Sequence, residues 1–227
     1  ADTLAALNLK FDSLEALEAV DRIMRTKLRG EFDSSIDMAV TRGAFEGFDP
    51  KWENTSEFVQ MLEKEFPEIY QRMMKEGRRN ISLSTVAPTG SISLLTRTSS
   101  GIEPVFMLQG GATQQFSAVP LNLMIKGKAD YVDNMGDAFE EFEVFHPGLA
   151  KWKQVTGLDD ISLSPYAGST AGEIDWFKRV QMQALVQKYT THSISSTINL
   201  PSDVSVERVG EIYLESWKQG LKGITVY

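Results

Sequence analysis

The 227 residues contain no cysteine. Disulfides, thiolate nucleophiles, cysteine-ligated zinc and cysteine-bound iron–sulfur clusters are therefore excluded within this chain. Histidine is nearly as scarce: only His146 and His192 offer an imidazole, and no metal-binding spacing links them. Positive charge is also in deficit, with 31 acidic against 23 basic residues and a net charge of −8. A nucleic-acid polymer calls for a basic field that this composition lacks. Small anions remain open as ligands, because they need only local dipoles and one or two cations. No run approaches the roughly 18 apolar residues of a membrane helix. The start, Ala1-Asp2-Thr3-Leu4, has no basic stretch followed by an apolar one, so no signal peptide is expected. A serine hydrolase is unsupported for want of a Gly-x-Ser-x-Gly elbow.

What is present is ordinary for a folded chain: 42% hydrophobic and 24% charged residues, enough to bury one large core or two small ones. Asp12 and Glu15 have the spacing of a capping box, and Leu14, Leu17, Val20, Met24 and Leu28 recur at helical period behind them. Gly30 is expected to end or bend that helix, with a second piece from Ser34 to Phe45. Residues 43–50 read as a loop. Residues 56–66 and 67–76 read as helices, with Pro67 in a first turn and Met61, Met73 and Met74 as core filler. After Gly77 apolar and hydroxyl residues alternate from Ile81 to Val86, which predicts a strand. Residues 92–98 fit helix or strand, and 110–128 fit neither. Helices are expected over 147–155, over 173–189 and behind Ser205 as N-cap, with extended segments at 193–200 and 223–227. Fold class is thus α/β with parallel pairing, residues 1–77 mainly helical and 78–227 mixed, in one domain. These few strands close no sheet, so the chain is expected to be part of something larger. Exposed apolar faces are expected near Ile81–Val86 and Ile224–Val226.

The turn Ala87-Pro88-Thr89-Gly90-Ser91-Ile92 follows a strand, where α/β proteins place ligand-binding loops. Gly90 lets an oxygen approach the backbone, Thr89 and Ser91 add hydroxyls, and a helix opening at Ile92 would add free amides. No lysine lies in the loop, so it is suited to holding a phosphate rather than transferring one. The bland alternative is a β-turn satisfied by its own side chains. Glu103, His192, Ser195, Ser196, Asn199 and Tyr227 are weaker candidates, and the acidic run 140–143 reads as a solvated face.

Taken with Arg79-Asn80, the block Ser99-Ser100-Gly101-Ile102-Glu103-Pro104, the segment from Ser193 to Pro201 and the ending Gly223-Ile224-Thr225-Val226-Tyr227, this turn resembles the later catalytic domain of adenosylcobalamin-dependent (class II) ribonucleotide reductases. The resemblance is strong from Arg78 onward and weak before it. It implies part of a ten-stranded α/β barrel, incomplete in this chain. It further implies a cytoplasmic ribonucleoside-diphosphate reductase activity for deoxyribonucleotide synthesis, run by a cobalamin-generated cysteine thiyl radical. By the same resemblance Ala87, Pro88, Thr89, Gly90, Ser91 and Ile92 bind the substrate phosphates. The family's asparagine-proline-cysteine-glycine-glutamate motif occurs nowhere here and is expected upstream. No catalytic residue is therefore assigned, adenosylcobalamin belongs to the complete enzyme, and the chain alone is expected to be inactive. Its partners would be ribonucleotide, a missing barrel portion or complementing subunit, and a second copy in a homo-oligomer. The alternative is a non-catalytic nucleotide-binding module or split subunit.

Overall fold

Ser13, one residue after the expected Asp12, caps the long helix that begins at Leu14: its hydroxyl accepts from the Ala16 amide at 3.1 Å. The computed structural model describes residues 1–104, 131–132, 138–139, 146–170, 172–201 and 203–226. Those residues form two compact units, one of 1–11 and 88–174 and the other of 12–87 and 175–227.

In the second unit, α2 (Leu14–Arg42) runs unbroken through Gly30, against expectation. Leu28, Phe32 and Ile36 are fully buried along one stripe. Each contributes about 1.5–3 kcal/mol, which outweighs the roughly 1 kcal/mol that a helical glycine costs. A Cβ at Gly30 would meet nothing within 4 Å. Gly30→Ala is therefore expected to stabilise the chain by about 0.5–1 kcal/mol, read as a higher urea midpoint. The helices α3 (Pro50–Glu53), α4 (Glu57–Glu65) and α5 (Pro67–Glu76) follow. Val59, Leu62, Phe66, Ile69 and Met73 close over the α2 stripe, with Met61 and Met74 half-buried beside them. Tyr189, far along the chain, completes this core edge-on to Phe66.

Residues 81–86 are extended but build no regular strand; Val86 makes one parallel bridge to Ile194. The Thr191 side chain takes the ladder's place. Its hydroxyl oxygen accepts from the Leu83 and Ser84 amides at 3.1 and 2.8 Å and donates to the Ser84 carbonyl at 2.9 Å. Among residues 81–86, Ile81 and Thr85 are exposed. Strand β3 (Thr197–Ile198) pairs in parallel with β4 (Thr225–Val226). The Ser195 amide bonds to Val86, and the Ser196 carbonyl accepts from Thr225. Neighbouring groups of an extended chain point to opposite edges, so 194–198 is the middle segment. Over it pack α8 (Trp176–Lys188) and α9 (Val206–Lys218), through Val180, Ile198 and Ile212. Ile224 and Val226 join that cluster, so the expected apolar face there is partly covered. Ser205 caps α9 through the Arg208 amide, as expected.

The first unit contains α1 (Asp2–Ala6), α6 (Gly90–Thr96), the antiparallel pair β1 (Tyr131–Val132) and β2 (Ala138–Phe139), and α7 (Pro147–Thr156). Ala5, Leu149 and Tyr166 form its described core. Residues 110–128, most of 139–145 and Tyr227 lie outside the described residues. Among the described residues, no helix is long and apolar enough to cross a membrane.

Candidate phosphate-binding turn

The expected turn is a helix start, which resolves the ambiguity of residues 92–98. The boundary between the two units falls between Ala87 and Pro88. Ala87 and Pro88 are exposed, Thr89 and Gly90 half-buried, Ser91 and Ile92 exposed. The Thr89 carbonyl accepts from the Ser93 amide at 2.7 Å, so Thr89 stands at the N-cap of α6. Its side chain faces away from the helix, accepting from the Gly101 amide at 3.0 Å. The Thr89 amide donates to Ser100 Oγ at 3.1 Å, and the two hydroxyls lie 3.3 Å apart. Among the described residues no group accepts from the amides of Gly90, Ser91 or Ile92, the first three of α6. Such amides point out along the helix start. With the Ser91 hydroxyl beside them, which has no partner among the described residues, they form a small set of donors open to an oxyanion.

Behind Thr89 the chain is fastened again. The Ser99 amide donates to Asp2 Oδ2 at 2.7 Å, and Ser99 Oγ lies 3.3 Å from His146 Nε2. His146 is buried; its Nδ1 accepts from the Gly148 amide at 3.2 Å and caps α7, while Nε2 lies 3.5 Å from Asp2 Oδ1. The Tyr166 hydroxyl donates to Asp2 Oδ1 at 3.3 Å. Burial pushes the His146 imidazole below its ordinary 6.5, against the pull of Asp2. Burial works to raise the Asp2 carboxyl, but the Ser99 amide bond and His146 outweigh it and hold it low. Burial first, then Asp2, pushes Tyr166 up to about 12.

The profile of a known family, "Ribonucleotide reductase, barrel domain", matches residues 1–227. The chain belongs to this family. It is 30% identical over 237 residues to the vitamin B12-dependent ribonucleoside-diphosphate reductase of Mycobacterium tuberculosis, covering 100% of this chain and 30% of that one. It is 29% identical over 236 residues to the enzyme of the same name from Thermoplasma acidophilum, covering 100% of this chain and 27% of that one. The chain thus spans under a third of these curated relatives. Among solved structures, the Actinobacillus ureae class Id ribonucleotide reductase alpha subunit superposes with a TM-score of 0.59 at 22% identity, over 99% of this chain and 36% of that one. The barrel-domain fold is supported on both counts.

The remaining candidates of this ribonucleotide reductase barrel domain take other places. Ser196 is buried and accepts from Arg179 Nη2 at 2.7 Å, so its hydroxyl is engaged. His192 is exposed, its amide bonded to Ser84, and Ser195 is exposed as well. Asn199 keeps a buried Oδ1 with no partner among the described residues. The Glu103 amide bonds the Ser100 carbonyl, which ties Glu103 to the loop behind the turn. Sequence reasoning missed the Asp2–His146 pair, which no local motif marks because its members come from opposite ends of the unit. No group of three or more histidine or carboxylate side chains is placed to hold a metal ion among the described residues. The chain also holds no thiol that could accept a radical from the B12 of its relatives.

Proposed function

We propose that this chain is the part of a B12-dependent ribonucleotide reductase that holds the substrate's phosphates, at the turn from Ala87 to Ile92. The supporting observation is the segregation of donors at that turn. The Thr89 amide is taken by Ser100, and the Thr89 hydroxyl accepts from Gly101; the amides of residues 90–92 and the Ser91 hydroxyl have no described acceptor. A phosphate oxygen is an acceptor only, so such a group of donors suits it, and the bare backbone at Gly90 leaves room for it. The ligand is a ribonucleotide, and the complete cytoplasmic enzyme converts it to the deoxyribonucleotide with adenosylcobalamin. Barrel strands and the thiols come from sequence outside this chain.

The test is a titration of the ¹⁵N-labelled chain with a ribonucleoside diphosphate, followed at the amides of Gly90, Ser91 and Ile92. Those signals are expected to shift together and to saturate. Ser91→Ala should weaken binding by about fivefold, the value of one hydrogen bond. Gly90→Val should weaken it further, by crowding the site. Shifts absent from these three amides, or equal affinities in both variants and the parent, would overturn the reading.

A further inference from the structure

Two adjacent serines behind the turn reach in different directions. Ser100 receives the Thr89 amide, and the next residue, Gly101, donates to the Thr89 hydroxyl. Ser99 donates its amide to Asp2 and sets its hydroxyl against His146. We propose that Asp2 and His146 are positioning residues for the phosphate-binding turn, acting on Thr89 through Ser99 and Ser100; this rests on the phosphate-binding reading above.

The grouping of serine, histidine and aspartate invites a nucleophilic reading, and the geometry rejects it. His146 Nδ1 accepts from the Gly148 amide, so in the neutral ring the proton sits on Nε2. Ser99 and Asp2 both face that protonated nitrogen, at 3.3 and 3.5 Å. The ring has no free lone pair with which to take a proton from Ser99. It acts instead as a donor that, with the Asp2 carboxylate, holds one end of the 99–101 segment. The other end holds Thr89, whose carbonyl opens α6. The orientation of the free amides at 90–92 is thus fixed from Asp2 and His146, neither of which needs to touch the ligand.

The arrangement has a built-in pH response. The groups facing His146 are Asp2 and Tyr166. Asp2 is held low, and Tyr166 keeps its proton up to about 12. Of these three groups, His146 is the one that changes charge on mild acidification. Its folded pKa lies below the ordinary 6.5, so the neutral, bonded form prevails at pH 7 and is lost as the pH falls. The arriving proton lands on Nδ1, facing the Gly148 N–H, and displaces the ring.

The experiment compares the full chain with Asp2→Ala and His146→Asn, in the same diphosphate titration from pH 7.5 down to 5. Asparagine can keep the cap on Gly148 but neither titrates nor reaches Asp2, so the melting temperature should hold. Each variant is expected to bind about fivefold more weakly at pH 7.5. The parent should lose affinity on acidification beyond the part shared with His146→Asn, which reflects the ligand's own phosphate. If the parent binds, Ser91→Ala weakens it and both variants match the parent, the positioning role is overturned while the turn stands. Weaker binding with the parent's pH profile unchanged in His146→Asn would likewise overturn it, as a purely structural role. No shift at residues 90–92 in the parent would overturn the turn and the positioning role together.

Discussion

Glu53→Gln is expected to destabilise the chain by about 3 kcal/mol or more, a large share of a domain's stability. Glu53 and Arg78 are buried, with side-chain exposures of 9% and 11%. Arg78 grips the carboxylate with three hydrogen bonds, from Nη2 at 3.0 and 2.9 Å and from Nε at 3.2 Å. Its remaining nitrogen, Nη1, donates to the carbonyls of Asn80 and Ile81 at 3.0 and 2.6 Å, and the guanidinium lies 5.2 Å from the Phe45 ring. Removing the opposite charge leaves a desolvated cation, which costs far more than an exposed pair ever contributes. Replacing both partners with apolar residues (Glu53→Leu with Arg78→Met) should recover only part of the loss, because the Asn80 and Ile81 carbonyls lose their donor. Denaturant unfolding of the three variants decides the matter; a loss below 1 kcal/mol in Glu53→Gln would contradict it.

A second large effect is expected in activity. The purified chain, given adenosylcobalamin, a dithiol and all four ribonucleoside diphosphates, should form no deoxyribonucleotide above a cofactor-only blank. Thiyl-radical chemistry needs a sulfur fixed at the ribose, and there is no cysteine in the 227 residues. A dissolved thiol can supply reducing equivalents, but it is not held at hydrogen-transfer distance, where positioning supplies up to about 7–11 kcal/mol of the barrier. Ser195 and Ser196 are poor substitutes, since an alcohol hydrogen is harder to remove than a thiol one. Turnover by the chain alone would overthrow this account. Activity restored by adding a cysteine-bearing barrel segment would support it.

Legibility from sequence tracked the range of the interaction. Helices with a repeated apolar stripe, such as 57–65 and 67–76, were readable because their signal lies within a few turns. Gly30 misled because a local breaker was set against burial that only tertiary contact reveals. The 81–86 segment read correctly as extended, but a side chain 107 residues away supplies its hydrogen bonds. The turn at 87–92 was visible in its glycine and hydroxyls. Its fastening was not, since Asp2 and His146 lie in no motif with it and reach it through Ser99.

The position of Tyr189 has a consequence for the order of folding. The helical core of residues 28–73 is nearly complete in itself, yet one of its fully buried members belongs to the end of α8. The Tyr189 ring rests edge-on against Phe66, and its hydroxyl bonds Asp21 at 2.6 Å and Arg25 at 3.1 Å. During synthesis the N-terminal helices therefore wait, with Phe66 and the surrounding apolar wall open to water, until more than a hundred further residues have been made. Closing so long a loop is slow compared with forming the helices, and an open apolar wall is where nascent chains stick to one another. Refolding is accordingly expected to show fast helix formation followed by a slower step that buries Tyr189, during which a chaperone would find its site.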